Sequence, residues 1–363
     1  MRRVFGTGRA GALWCVAFLG ETMPRAHSVV LIEPYDGGSH AAFVRAIERF
    51  SRHRIRTVSL PARKWKWRMR GAAIWMTRDE GHWLDGVIGG AVDALLCSDM
   101  LSVADLRALL PSGRRDMPII AYFHENQLTY PIPDGEDRDY QYGMTNVTSC
   151  LAADAVWFNS RFHQEDFLAA ADSLLRKMPD YVPAGITDEI RARSTVIPPP
   201  VAVEPVHRSA RDPDAPMRIL WCHRWEYDKN PEPFFEALIR LHEAGAPFEV
   251  VLLGEQFRTA PPVFADVWPC LRPRIVHAGF VPERADYLSL LESCDVVVST
   301  AIQENFGIAV AEAVLAGCQP LLPDRLAYPE LIPEAFHGPC LYPDDAALFD
   351  RLLAIVEGPA RLA

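Results

Sequence analysis

The chain lacks the signatures of several large protein classes. No C-x-x-C pair occurs, and the eight cysteines are scattered from Cys15 to Cys340. That pattern argues against a zinc cluster and a disulfide framework, and it fits a reducing, cytoplasmic setting. The 11 histidines include no H-E-x-x-H and no other ligand cluster legible as a motif. No G-x-G-x-x-G follows a predicted strand, so dinucleotide binding is not signalled. Beyond the N-terminus no run is long and apolar enough to span a membrane. Positive charge is not in excess either. The net charge is −10, so no whole-molecule field draws nucleic acid, and any RNA contact must use a local basic patch. What remains is an ordinary globular composition, 49% apolar and 23% charged over 363 residues, long enough for two domains.

Residues 1–27 read as an extension of uncertain status. Arg2, Arg3 and Arg9 precede an apolar run over 11–20, as in a signal or transit peptide, and Met23 is the alternative start immediately before the first strand.

The most informative stretch is 302–317, IQENFGIAVAEAVLAG. It predicts a strand-exit loop carrying Glu304 and Asn305-Phe306-Gly307, then a helix from Ile308 closed by Gly317. The helix is apolar on almost every face and therefore buried, yet it carries Glu312. A buried carboxylate needs hydrogen-bond donors, and two ribose hydroxyls would serve. The helix start offers free N–H groups and a positive dipole end to a phosphate or sugar oxygen. The E-x7-E spacing puts Glu304 at the helix mouth and Glu312 about one and a half turns inside. A core helix with one tolerated acid is the equal alternative from this stretch alone.

Upstream, 28–33 reads as a buried strand followed by Gly37-Gly38, with Ser39 as the expected N-cap of a helix through Phe50. Strand, Gly-Gly loop and helix form the opening unit of a doubly wound α/β domain, and the glycines permit close approach of a ligand. Residues 51–70 hold eight Lys or Arg and no acid, with Trp65 and Trp67 interleaved. Cations pair with phosphates and flat rings stack on bases, so Arg63, Lys64, Trp65, Lys66, Trp67, Arg68 and Arg70 are candidate RNA contacts; a solvated charge run is the alternative. Strands are expected over 91–97, 118–123 and 155–159. The second of these ends in His124-Glu-Asn-Gln127, where α/β sheets place ligands. Two D-x-D triplets, at 137–139 and 212–214, are too unspecific to assign a metal.

Proline-rich residues 197–213, including Pro198-Pro199-Pro200, read as a stiff linker. The expected domains are therefore 28–199 and 217–363, joined by 200–216. The α/β rhythm then restarts with strands over 217–222, 248–253, 274–278 and 295–299. Arg224 and Lys229 bracket the loop after the first of these and suit a diphosphate, Arg as a fork and Lys as a point charge. Surface ion pairing with Glu226 or Asp228 is the alternative. Gly254 ends the next strand.

Two α/β halves with chemistry at the strand ends of the second describe the two-Rossmann architecture of many sugar transferases. The segments LPARKWKWRMR at 60–70, FHENQLTYP at 123–131, DRDYQYG at 137–143, HRWEYDKNPE at 223–232 and the ENFG loop resemble the tRNA-queuosine α-mannosyltransferase family. The chain differs from animal members at Asn305, where they carry Phe. The resemblance implies a GT-B fold, two Rossmann-like domains facing across a cleft. It implies GDP-mannose as donor, the cyclopentene diol of queuosine in tRNA as acceptor, and retention at the anomeric carbon; no metal is needed if the cations do its job, and no membrane partner is expected. Arg224 and Lys229 would stabilise the leaving diphosphate and Glu304 would orient the sugar. His124 would line the sugar pocket. Gly37, Gly38, Gly254, Asn305, Phe306, Gly307 and Glu312 would bind the donor. Open alternatives are the same fold acting on a lipid, glycan or small-molecule acceptor, and a catalytically silent RNA-binding protein.

Overall fold

The structure is a computed structural model that describes residues 25–78, 92–132, 135, 137–203, 215–256 and 260–358. The 1–24 portion of the extension, Asp212-Pro213-Asp214 and most of the expected linker lie outside the described residues. By packing, the chain divides after Pro200 into two compact units.

The first unit contains β1 (Ser28–Asp36), α1 (Gly38–Phe50), β2 (Arg54–Pro61), α2 (Trp65–Arg78), β3 (Ala94–Ser98), α3 (Val103–Leu109), β4 (Ile119–Phe123), α4 (Tyr140–Ala152), β5 (Ala155–Phe158), α5 (Arg161–Leu175), α6 (Ile186–Ala192) and β6 (Ser194–Val196). Its six strands are all parallel, in the order 2-1-3-4-5-6. Such a sheet is covered on both faces, so β3 and β4 are buried at every position and read as unbroken apolar runs rather than alternating ones. One face packs around Ile32, Leu95, Phe123 and Phe167, the other around Leu31, Phe43 and Tyr122.

The second unit contains β7 (Met217–Cys222), α7 (Pro231–Glu243), β8 (Phe248–Leu253), β9 (Ile275–Gly279), α8 (Arg284–Glu292), β10 (Val296–Val298), α9 (Ile308–Leu315), β11 (Gln319–Pro323), β12 (Leu341–Tyr342) and α10 (Asp345–Glu357). Its sheet is also parallel, ordered 12-11-10-7-8-9. That is the dinucleotide-fold order, and it reverses direction between β7 and β10. In the first sheet the reversal falls between β1 and β3. At such a reversal two neighbouring loops leave the same sheet edge on opposite faces and open a crevice beyond the strand ends.

Three local expectations need correction. The cap of α1 is Gly37, not Ser39, because β1 runs on through Pro34 to Asp36 before the chain turns. Strand β2, which was not expected, lies within the basic run and places Arg54 and Arg56 at a sheet edge. Strands β6, β11 and β12 were not expected; each is five residues or fewer, too short to show periodicity. No helix among the described residues is long and apolar enough to cross a membrane.

Candidate active site

Two loops meet at the β7/β10 reversal. The first, after β7, turns through Arg224 to Asn230, whose left-handed backbone (φ 46°) delivers Pro231 to the first position of α7. The second, after β10, runs from Ser299 to Gly307. They are stitched together by backbone: the amides of Ile302 and Gln303 donate to the Asp228 carbonyl (3.0 and 3.3 Å), and Thr300 Oγ1 donates to the Lys229 carbonyl (3.0 Å). From the other side Arg325 donates to the carbonyls of Thr300 and Ala301 (3.0 and 3.2 Å), and the Tyr328 hydroxyl meets Ser299 Oγ at 2.6 Å. The loops are thus held by paired polar groups in a rigid frame.

Lys229 is the centre of this frame. Its Nζ donates to the Gln303 carbonyl (2.7 Å) and lies 3.2 Å from Asp228 Oδ2 and 3.5 Å from Glu304 Oε2, with only 8% of the residue exposed. Burial alone pulls the ammonium down, but the Glu304 and Asp228 carboxylates outweigh it and hold it above the ordinary lysine range. Arg224 is half-exposed and sits 3.1 Å from Glu226. Both expected diphosphate cations therefore already carry carboxylate partners. His223, buried against Trp221, is held well below the ordinary histidine range by burial and by the charges of Lys229 and Arg224, so its ring is neutral.

The helix of the E-x7-E stretch is present as α9. Gly307 precedes it with φ 92°, a conformation that favours glycine, and the last turn closes by Gly317 N–H to Val314 O and Cys318 N–H to Ala313 O (both 2.9 Å). Buried Asn305 faces the Gln303 amide at 3.3 Å, and Phe306 is half-buried. Glu304 stands at the helix mouth beside Lys229. Glu312 is buried, as expected, but its donors are protein groups. Arg284 Nη2 donates to Oε1 (2.5 Å) and the Tyr287 hydroxyl to Oε2 (2.8 Å), both from α8. A carboxylate can accept about four hydrogen bonds, so these two leave room for a further pair. Gly254 has a packing reason of its own: a Cβ there would lie 1.8 Å from the His223 carbonyl oxygen, at φ 148°.

In the first unit His124 follows β4 and is buried against His40, Phe43 and Tyr122 (ring centroids 4.1, 4.8 and 4.8 Å). Its amide donates to Asp99 Oδ1 and its carbonyl accepts from Asn159 Nδ2, both at 2.9 Å. Burial, then the neighbouring His40 and His163, hold its ring well below the ordinary range. Gly37 is extended (φ −166°); a Cβ there would fall 2.4 Å from that of Ala62. Gly38 has φ 54° with open space around it. Asp139, from the first D-x-D, caps α4, and Arg138 donates to the carbonyls of Gln127 and Tyr130, which gives that motif a structural job.

The Trp/Lys segment forms the start of α2. Arg63, Lys64, Lys66 and Arg70 are exposed, Trp65 and Arg68 are half-buried, and Trp67 is 68% exposed, its indole lying over Gly71. Trp65 packs edge-on to Tyr142 of α4 (5.1 Å), and Arg70 lies over that same ring (5.4 Å) while bonding Gln141 (2.9 Å). Arg68 turns back to the Pro61 carbonyl. The result is a firm helix face of cations and rings, not a loose arm.

Residues 28–201 match the family model for the tRNA-queuosine alpha-mannosyltransferase N-terminal domain, and 204–361 match glycosyl transferases group 1. The tRNA-queuosine alpha-mannosyltransferase of Drosophila melanogaster is 37% identical over 318 residues, 84% of this chain and 82% of that protein. The chain belongs to the tRNA-queuosine alpha-mannosyltransferase family. A GDP-mannose-dependent alpha-(1-6)-phosphatidylinositol dimannoside mannosyltransferase of Mycobacterium tuberculosis is 29% identical over 144 residues, 39% of this chain and 36% of that one. Among solved structures, sucrose-phosphate synthase of Thermosynechococcus elongatus aligns with TM-score 0.63 at 14% identity, covering 92% of this chain and 90% of that one. Anabaena HepE with UDP and glucose aligns with TM-score 0.62 at 14% identity, covering 91% and 90%. At such identity these likenesses show the fold alone, which is that of the GT-B glycosyltransferases.

As a member of this family the protein is a glycosyltransferase. The second unit brings Arg224, Lys229, Glu304, Asn305, Phe306 and Gly307 to one sheet edge, with Gly254 beside His223. Sequence reasoning passed over Asp228, His223, Gln303, Arg284 and Tyr287. Asp228 was read only as a surface partner, although its side chain is 1% exposed. In the first unit it passed over Glu33, His40 and Asp99, which pack around His124. Their separation in sequence hides the cluster, and only an acid inside the apolar strand β1 could have signalled it.

Proposed function

We propose that this glycosyltransferase moves mannose from GDP-mannose to the cyclopentene diol of queuosine in tRNA, with retention at the anomeric carbon. Membership of the family supports the acceptor, and the partial likeness to a GDP-mannose-dependent enzyme supports the donor. The single observation carrying the chemistry is the part-buried Lys229–Glu304 pair at the β7/β10 reversal, against the amino end of α9. A charge placed there acts through electrostatics in a site with little water. In this reading the diphosphate leaves toward Lys229, Arg224 and the free amides of α9, and it takes up the acceptor proton on the face it departs from. Glu304 orients the sugar by its hydroxyls. Glu312 uses its remaining lone pairs for the donor ribose while Arg284 and Tyr287 hold it in place. In the first unit, His124 is read as the partner of a substrate hydroxyl. The α2 face with Trp65, Trp67, Lys66 and Arg70 takes the RNA, by phosphate pairing and base stacking. Cations and helix amides supply the charge that a metal would otherwise supply. The free cysteines are consistent with a cytoplasmic, reducing setting.

The test is mass analysis of nucleosides after incubating the protein with GDP-mannose and queuosine-containing tRNA. The expected product is queuosine heavier by one hexose; an unmodified nucleoside under conditions where the protein hydrolyses GDP-mannose would reject the acceptor and keep the donor.

A further inference from the structure

The densest set of buried titratable groups outside the second unit's frame lies at the C-terminal edge of the first sheet. Glu33, fully buried in β1, accepts at Oε1 from the Tyr35 amide (2.9 Å) and from Ser98 Oγ (3.0 Å). Its Oε2 lies 2.9 Å from His40 Nδ1, on the first turn of α1. The His40 ring lies 4.1 Å from that of His124, tilted by 43°. Ligand atoms of Glu33, His40 and His124 fall within 4.8 Å of one another, a set that could in principle hold a cation. Both Glu33 oxygens and His40 Nδ1 are already committed within the protein, however, so a shared proton satisfies this charge without a metal.

We propose that Glu33 and His40 are positioning residues for His124, the carboxylate fixing the His40 ring and that ring fixing the orientation and hydrogen-bonding role of the His124 imidazole toward substrate. Burial by itself pulls His40 down, but the charge and hydrogen bond of Glu33, with Asp99 and Glu125 behind it, raise it to about 9. His40 is therefore an imidazolium at neutral pH. Its charge is one reason that His124, already disfavoured by burial, stays neutral. Burial also pushes Asp99 up, against the pull of His40, to about 8. A neutral His124 can accept a hydrogen bond from a hydroxyl, which an imidazolium cannot. The inference rests on His124 meeting substrate, as proposed above, and the two can fail separately.

The test uses the whole protein labelled with 15N-histidine. At pH 7.5 the ring signals lost in His40→Gln are expected to be those of an imidazolium, and those lost in His124→Gln to be neutral. In Glu33→Gln the His40 ring is expected to become neutral at the same pH. In kinetics, Glu33→Gln and His40→Gln are expected to lower kcat by about 100-fold through misplacement of His124 with donor KM nearly unchanged; in Glu33→Gln the alkaline limb of the pH–rate profile moves to lower pH, and in His40→Gln the limb that belongs to His40 is lost. Should Glu33→Gln not fold, Ser98→Ala carries the test, since it removes one of the donors to Glu33 without touching either histidine. A neutral His40 in the unmodified protein overturns the inference. So does loss of activity in His124→Gln with a wild-type rate and profile in the folded Glu33 or Ser98 variant. Full activity in His124→Gln overturns the substrate role of His124 itself, and the functional half of the inference with it.

Discussion

Replacing Lys229 by Met keeps the length of the side chain and removes its charge. Two penalties follow, and they can be told apart. The first is to stability. The Lys229 side chain is 10% exposed, Asp228 1% and Glu304 20%, so the variant leaves two poorly hydrated carboxylates facing a hole where their cation stood. Breaking a buried pair from one side costs about 3–5 kcal/mol. In a unit of this size that corresponds to a fall in Tm on the order of 10 °C. The second penalty is to catalysis. If Lys229 stabilises the leaving diphosphate, kcat falls by about 100- to 1,000-fold, the usual effect of deleting one donor at a developing negative charge. Adding Asp228→Asn to Lys229→Met removes the more deeply buried of the two stranded charges and is expected to restore part of the lost Tm while leaving kcat low. The assay is thermal unfolding of the wild type, both single variants and the double variant, alongside initial rates of hexose transfer or GDP-mannose hydrolysis. A Lys229→Met protein as stable as the wild type would refute the burial argument. A stable double variant with near wild-type turnover would remove Lys229 from the chemistry.

The remaining predictions rest on other parts of the molecule. Gly254→Ala places a methyl group 1.8 Å from the His223 carbonyl and is expected to destabilise the second unit by about 3 kcal/mol or more, read as a fall in Tm or loss of soluble protein; an unchanged Tm would contradict the close approach of the β7 and β8 ends. Trp67→Ala is expected to weaken tRNA binding by about 1–3 kcal/mol without changing GDP-mannose hydrolysis, and Lys66→Glu to reduce the salt dependence of binding, both by titration of labelled tRNA; equal affinity in both variants would free the α2 face of an RNA role. His40 is raised from 6.5 to about 9 in the folded state. The folded form therefore holds its proton more tightly, and that stabilisation is complete below about pH 6.5 and lost as pH rises through 9, at most about 3 kcal/mol. Denaturant unfolding at pH 6 and pH 9 should show a larger fall in the wild type than in His40→Gln, and parallel falls would disprove the assigned charge.

How far the sequence discloses this molecule depends on the range of the interactions involved. The parallel sheets were legible because burial on both faces forces unbroken apolar runs such as 119–123, IIAYF. The helix after Gly307 was legible because a glycine, an apolar octet and Gly317 are all local signals. Glu312 was legible as a buried acid, but its partners were not. Arg284 and Tyr287 lie on α8, more than 20 residues upstream, and nothing in their own surroundings marks them. The same limit governs Asp228. Its place beside Lys229 in sequence suggests a surface pair, and only the crossing of the β10 loop over it makes that pair buried. Strand β2 illustrates a different failure, in which interleaved arginines mask a strand whose Ile55 packs on one face of the sheet and whose Val58 and Leu60 pack on the other.

The cluster around His124 shows why the most consequential residues were the hardest to see. Glu33 follows the apolar run 29–32 within β1, where an acid usually marks the surface, and His40 sits on a helix turn that reads as solvent-facing. Parallel pairing of β1 with β3, and of β3 with β4, brings positions 33, 98–99 and 124 to one sheet edge. Each is then buried by the helices that cover that edge. Three charges or dipoles that would each be costly alone become tolerable only together, because Glu33 supplies the anion for His40, and Ser98 and Tyr35 supply its hydrogen bonds. The stability of the group is therefore a property of the topology and not of any segment. For the same reason, removing one member should disturb the others more than its own contacts suggest. The loss in a Glu33→Gln/His40→Gln double variant is accordingly expected to be well below the sum of the two single losses, since the second substitution removes a charge that the first has already left without its partner.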